Sequence, residues 1–133
     1  MNGKITKNLN RIGIISLMLI LGLVIGCGNN DKDVNGQTPS DVFKQFCEAA
    51  AKGDTKTACE LTYNPFSTQT FFDGLSKDKK LLKEFKDKMA GAGEFDYLVS
   101  GDHASVITKY KDGSKTQDRL ERKNGVWKLK FAE

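Results

Sequence analysis

The order of hydrophobic patterns predicts an α+β domain, with N-terminal helices packed on a four-stranded antiparallel meander. Apolar residues recur at helical spacing through most of residues 38–90. From residue 94 the period changes to two, which is typical of half-buried strands. Asp112-Gly113 and Asn124-Gly125 are strong two-residue hairpin signals between such strands. Helices followed by hairpin-linked strands indicate the α+β class.

The first helix is predicted to begin after Thr38, which can cap it, with Pro39 at the first helical position. Gly53 is a natural C-terminal stop. Asp54 can cap a short second helix that ends before Pro65. The apolar face of the first helix consists of Val42, Phe43, Phe46, Ala49 and Ala50.

The next segment, residues 66–74, is the hardest to assign. One interpretation is a single helical turn capped by Ser67, with Phe71 and Phe72 entering the core. A clearer helix follows Ser76 and runs from Lys77 to about Ala90. Its apolar stripe consists of Leu81, Leu82, Phe85 and Met89.

That helix carries six lysines between Lys77 and Lys88. The sequence favours a solvated face with intrahelical pairs such as Glu84–Lys88. The alternative is contact with anionic lipid or an acidic polymer.

The C-terminal half predicts four strands with one apolar face, which the helices would cover. Gly101-Asp102 supplies a further turn candidate, and the last strand is predicted from Val126 to Phe131. The residues expected on the apolar face are Phe95, Tyr97, Val99, Ala104, Val106, Thr108, Tyr110, Trp127, Leu129 and Phe131.

The N-terminus has the pattern of a signal peptide. Lys4, Lys7 and Arg11 precede an uncharged run, Ile12 to Ile25, that is short for a membrane span. The run ends in Val24-Ile25-Gly26-Cys27, which resembles the lipobox of bacterial lipoproteins. The resemblance implies cleavage before Cys27 and its modification with fatty acids such as palmitate. A retained anchor, or an ordinary signal with a chance cysteine, is the alternative.

The sequence thus divides into a signal peptide (1–26), an acylated cysteine with a flexible tether (27–37) and an α+β domain (38–133). The tether is polar except for Val34, so it has little apolar area to bury. Loss of the signal takes 21 basic residues to 18 against 17 acidic ones, and the formal charge falls from +4 to +1. A nucleic-acid partner is therefore not expected.

These features predict a lipid anchor on the extracytoplasmic face of a bacterial membrane. Because an aspartate after the acylated cysteine often marks inner-membrane retention in Gram-negative lipoproteins, Gly28 slightly favours the outer membrane in such a host.

The order of elements resembles the nuclear-transport-factor-2-like (cystatin-like) cone, most of all small bacterial lipoproteins of that superfamily whose function is unknown. The residues that carry the resemblance are Val42, Phe46, Ala50, Gly53-Asp54, Ala58, Leu61 and Gly125-Val126-Trp127-Lys128-Leu129. The resemblance implies a sheet curved around a cavity, and it does not transmit an activity.

Two cysteines, Cys47 and Cys59, remain beside the acylated one. They lie on consecutive predicted helices joined by a short turn, so a disulfide is possible in an oxidising compartment. The alternative is that both are small buried apolar residues.

Catalytic and metal-binding patterns are weak. His103 adjoins a predicted turn and is expected to be solvated. No His, Cys or Asp residues accompany it at the spacing that metal ligands have, so no metal or cofactor is expected. Asp118 lies in a polar strand and is expected to be an exposed edge carboxylate, although a buried one would have a raised pKa and could act as a base.

The sequence therefore favours a non-enzymatic, membrane-anchored domain that binds a small apolar ligand or an envelope protein. One alternative is a small enzyme resembling the isomerases or dehydratases of the superfamily, and another is an envelope assembly factor using the lysine-rich helix. The expected residues of a binding site are Tyr97, Tyr110, Trp127 and Phe85.

Overall fold

The structure is a computed structural model that describes residues 31–132. The predicted signal peptide, Cys27 and the first part of the predicted tether lie outside the described residues. Within residues 31–132, four helices precede a four-stranded antiparallel sheet, so the predicted α+β class is confirmed. The helices are α1 (Pro39–Lys52), α2 (Thr55–Glu60), α3 (Pro65–Leu75) and α4 (Lys79–Ala90). The strands are β1 (Ala92–Ser100), β2 (His103–Tyr110), β3 (Lys115–Lys123) and β4 (Val126–Leu129).

The first two helices begin and end where the sequence indicates. The Thr38 hydroxyl accepts from Asp41 N and the Asp41 carboxylate accepts from Thr38 N, which forms a capping box at α1. Gly53 ends α1 with φ of 77°, a left-handed conformation that favours glycine. The Asp54 carboxylate caps α2 by accepting from Thr57 N.

The third helix corrects the prediction of a single turn capped by Ser67. α3 has 11 residues, Pro65 occupies its first turn, and Asn64 caps it by accepting from Ser67 N. Asn64-Pro65 is a regular helix start, because Pro at the first helical position loses no intrahelical hydrogen bond.

The fourth helix begins two residues later than predicted. Asp78 caps it by accepting from Lys80 N and Leu81 N. Leu81 is 50% exposed, which corrects its place in the apolar stripe, whereas Met89 is buried and Phe85 packs against the core.

The strands form a meander in the order β1-β2-β3-β4. β4 is shorter than predicted and ends at Leu129, but Phe131 still packs against the core. The hairpin turn before β4 has Asn124 at φ 54° and Gly125 at φ 80°, as the favoured two-residue turn requires.

Phenylalanine rings fill the space between helices and sheet. Phe131 lies 4.8 Å from Phe46 and 4.9 Å from Phe71, measured between ring centroids. A connected network of such contacts includes seven of the eight phenylalanines, namely Phe43, Phe46, Phe71, Phe72, Phe85, Phe95 and Phe131. The eighth, Phe66, is 80% exposed.

Residues 33–37 correct part of the predicted tether, because they bind the domain through hydrogen bonds. The buried Asp33 carboxylate accepts from Asn35 N (2.8 Å), Gln37 N (3.0 Å) and Trp127 N (3.1 Å). Val34 N donates to Gly125 O at 2.9 Å. A flexible tether was predicted because the segment has few apolar side chains. The loop is ordered instead by the Asp33 carboxylate, which accepts hydrogen bonds from backbone N–H groups. The folded part therefore begins before residue 38.

Candidate functional site

The residues expected to line a binding cavity mostly fill the core. Trp127 is fully buried, and the Arg122 guanidinium carbon lies 4.3 Å from the centre of its ring. Phe85 belongs to the phenylalanine network, and Tyr97 packs partly buried against the same core. Tyr110 is 4% exposed and lines a surface groove. Three of the four side chains thus pack among other core residues, and Tyr110 lines the groove.

A chain of three polar side chains lies on the inner face of the sheet. The Thr116 hydroxyl donates to Asp118 Oδ2 at 2.9 Å, and Tyr110 Oη lies 3.1 Å from Thr116 Oγ1. A hydroxyl has one proton, so Thr116 uses its proton on Asp118 and Tyr110 donates to Thr116. The chain thus runs from the Tyr110 hydroxyl through the Thr116 hydroxyl to the Asp118 carboxylate.

Asp118 is half-buried, which corrects the expectation of an exposed carboxylate. β4 pairs with β3 only from Leu120 to Lys123, so Asp118 lies where β3 has no strand on that side. Its side chain nonetheless shares the inner face with buried Leu120. Burial raises the pKa of the Asp118 carboxyl, while the Thr116 hydrogen bond and the charge of Lys88 oppose that rise.

The groove beside this chain lies between the end of α4 and the turn that joins β2 to β3. It encloses about 490 Å³. Lys88 Nζ lies 5.0 Å from the centre of the Tyr110 ring, at one wall. Burial raises the pKa of Tyr110 to about 12, so at neutral pH its hydroxyl is a donor. The other lining residues are Glu84, Asp87, Ala90, Gly91, Lys111 and Asp112.

The two cysteines are both free and buried, so the possible disulfide is absent. Cys59 Sγ donates to Gln69 Oε1 of α3 at 3.6 Å, whereas Cys47 lies near Asp118 of the sheet. Their surroundings differ because one thiol faces a helix and the other faces the sheet. Burial, helped by the negative charge of Asp118, raises the pKa of Cys47 to about 12. That thiol is a poor nucleophile at neutral pH.

His103 is solvent-exposed, as predicted. Its side chain is 69% exposed, and Nδ1 lies 2.9 Å from Glu121 Oε2. Lys130 Nζ contacts the other oxygen of Glu121 at 3.4 Å. These residues border a shallow depression of about 240 Å³. Asp102 is also exposed and contacts Arg122 at 3.9 Å, and Asp96 is exposed.

The lysines of α4 are only partly free of structural contacts. Lys83 pairs with Asp87 at 2.7 Å, and Lys88 lies over Tyr110 instead of forming the expected pair with Glu84. Lys86 lies beside Gly53 at the end of α1. These contacts support a solvated helix face with local pairs.

Sequence reasoning missed Asp33 as an organising residue. Asp33 is followed by Asn35-Gly36, and Asp, Asn and Gly together are a recognised turn signal. Its partner, Trp127 N, is 94 positions away, so no local pattern could identify that contact.

Within residues 31–132, no group of three or more His, Cys, Asp or Glu side chains is placed to hold a metal ion. None of the helices in that part of the chain has the length and apolar character needed to cross a membrane. No protein-family model, curated protein or solved structure matches the chain.

Proposed function

We propose that the protein is a bacterial lipoprotein, acylated at Cys27, whose domain serves as a membrane-anchored binding module. The lipobox-like Val24-Ile25-Gly26-Cys27 after an apolar run supports the anchor. Two or more acyl chains hold a protein on a bilayer durably, whereas one chain binds marginally. The module is a domain of the nuclear-transport-factor-2-like cone, on the extracytoplasmic face of the envelope.

The packing of the interior is the single observation that supports a particular mode of binding. Phenylalanines, together with Trp127 at 0% exposure, occupy the space that an apolar ligand would need. A binding surface outside this core is therefore favoured over an enclosed ligand cavity. The open groove beside Tyr110 and Lys88 offers charged groups of both signs, which suit a polar segment of an envelope protein.

Fractionation of the native host tests the anchor. The wild type is expected with the membranes, and the Cys27→Ala variant in the soluble fraction or unprocessed. Cys59→Ala is the matched control, because that buried thiol lies in the folded domain and its loss leaves the signal intact. A Cys27→Ala protein that stays on membranes as the wild type does would contradict the proposal.

Affinity capture tests the binding role. The acylated protein is recovered from its envelope beside a Lys88→Glu variant, which reverses a charge at the groove wall. An envelope protein that is captured with the wild type and lost with the variant supports the groove as the binding surface. Equal recovery with both proteins would place the interaction elsewhere.

Asp118 supports a second candidate, a small enzyme resembling isomerases or dehydratases. Its carboxyl is half-buried, has a raised pKa and ends a hydrogen-bonded chain of two hydroxyl groups. These are properties of a general base. Titration of Asp118 by carbon-13 NMR tests this candidate, which requires a clearly raised pKa. A carboxyl that titrates in the ordinary range of aspartate would remove it.

A further inference from the structure

The loop that precedes α1 fixes one side of the domain near the start of the mature chain. Asp33 is clamped to Trp127 N, and Val34 N to Gly125 O. Six residue steps separate Asp33 from Cys27. A fully extended chain covers at most ~3.6 Å per residue, so Asp33 lies within roughly 20 Å of the Cys27 backbone. A domain of about 100 residues is wider than this reach, at roughly 30 Å across. A lipid on Cys27 would therefore hold the Asp33 side of the domain toward the bilayer.

The same side carries exposed apolar side chains. Val34, next to the clamped aspartate, is 73% exposed. Phe66, the one phenylalanine that is exposed, follows Tyr63 by three residues on the first turn of α3. Tyr63 in turn lies against the hairpin, with Lys123 Nζ 5.1 Å from the centre of its ring. Val34 thus lies against the turn that joins β3 to β4, and Phe66 follows Tyr63, which contacts Lys123 of the same hairpin.

Cationic groups lie on the same segments. Lys123 Nζ donates to Tyr63 O at 3.1 Å, and Lys128 Nζ donates to Glu60 O at 2.6 Å. Each ammonium has three donors, so both keep N–H groups for an anionic partner. Lys32 is exposed beside the clamped loop. The carboxylates of Asp31 and Glu60 lie on the same segments and reduce the net positive charge.

We propose that this surface, formed by Lys32, Val34, Tyr63, Phe66, Lys123 and Lys128, lies on an anionic phospholipid bilayer. The proposal rests on the acylation of Cys27 given above. Lysines attract lipid phosphates, and amphipathic or apolar side chains insert at the headgroup level. Individually weak contacts suffice, because the anchor keeps the local concentration of the surface at the membrane high. The groove beside Tyr110 would remain available to a partner.

Quenching of introduced tryptophans tests the orientation. The full chain is purified from bacterial membranes with the substitution Phe66→Trp or Leu98→Trp and placed in vesicles of phosphatidylglycerol and phosphatidylcholine brominated near the headgroup. Leu98 is the matched control, since it is 71% exposed and lies on β1 at the opposite edge of the sheet. The native Trp127 gives a constant background, because it is fully buried.

The Phe66→Trp protein is expected to lose roughly half or more of the emission of its new indole, since an indole at the headgroup level lies close to the bromines. The Leu98→Trp protein is expected to keep its emission. Adding Lys32→Glu to Phe66→Trp should lower the quenching when phosphatidylglycerol is present and leave it unchanged when that lipid is omitted.

Three results would overturn the proposal. In the first, the protein floats with the vesicles but both indoles stay unquenched, or the one at position 98 is quenched instead. In the second, the Phe66→Trp emission changes with protein density in unbrominated vesicles, which would show a second copy covering the surface. In the third, the protein fails to float at all. That result would overturn the anchor as well, whereas the first two leave it standing.

Discussion

The two edges of the sheet are protected in different ways. At β4, groups of other segments occupy the free edge. The Asp33 carboxylate binds Trp127 N, Val34 N binds Gly125 O just before the strand, and the segment from Leu61 to Tyr63 binds Leu129. At β1, no strand of the described chain pairs with the outer side. That edge instead has a register irregularity near Glu94 and an exposed charged side chain, Asp96. Both devices prevent edge-to-edge pairing, but only the β4 edge is tied to the N-terminal segment.

The difference indicates which edge contributes more to the stability of the domain. The covered edge connects the loop of residues 33–37 directly to the core, because Asp33 binds the backbone of fully buried Trp127. Variants at the β4 edge should therefore destabilise the domain, and matched variants at the β1 edge should not.

The largest contrast is expected for two leucines. Leu129→Ala removes a fully buried side chain on β4 and should lower the free energy of unfolding by about 2–5 kcal/mol. Leu98→Ala, at 71% exposure on β1, should change it by about 0.5 kcal/mol or less. Urea denaturation of both variants measures the difference. Similar losses would show that the two edges are equally important.

Asp33→Ala removes the acceptor of three backbone N–H groups, which include the N–H of buried Trp127. We expect a loss of about 2–4 kcal/mol in the free energy of unfolding, since hydrogen bonds to charged groups are strong and buried donors are costly to leave unpaired. Asp41→Ala is the control, because its exposed carboxylate caps α1 and should cost about 1 kcal/mol. Equal losses in thermal or urea unfolding would mean that the clamp does not hold the loop on the domain.

Gly125→Ala tests the contact between the loop and the hairpin. An added Cβ would lie 2.7 Å from Val34 Cγ1, whereas at Gly113 it meets nothing within 4 Å. Both glycines have positive φ, so each substitution should cost about 1 kcal/mol in backbone strain. Gly125→Ala should cost about 1 kcal/mol more through the clash, and Val34→Ala should remove that excess in the double variant. No excess at Gly125 would show that the loop moves away freely.

The smallest effect is expected in the pH dependence of stability at Asp118, which lies in the part of β3 that does not pair with β4. Because burial raises the pKa of Asp118, its native carboxyl binds a proton more tightly than the unfolded chain does. Its contribution to stability therefore falls as pH rises from the ordinary value of 3.8 through the raised native pKa. Asp118→Asn should be slightly more stable than the wild type at neutral pH, and this gain should vanish toward acid pH.

Asp112 provides the opposite control. Hydrogen bonds from Ser114 lower the pKa of its carboxyl, so Asp112→Asn should lose stability at neutral pH and approach the wild type as the pH falls. Unfolding curves across the acid range compare the two variants. The same sign for both would contradict the assignment of Asp118 as the half-buried carboxyl.

Much of the fold could be predicted because its signals are local. Thr38-Pro39, Gly53-Asp54 and Asn124-Gly125 each determine a helix or strand end through the backbone geometry of a few residues. The candidate site was harder to predict. Asp118 was expected to be exposed because its sequence neighbours are polar, but its side chain shares the inner face of the sheet with buried Leu120. The docking of Asp33 depends on a contact with Trp127 that sequence spacing does not show.

The intact mass of the protein recovered from bacterial membranes tests the anchor most directly. A mature chain that begins at Cys27 and carries added acyl chains is the expected result. A chain that retains residues 1–26 with an unmodified Cys27 thiol would contradict both the lipid anchor and the membrane-facing side of the domain.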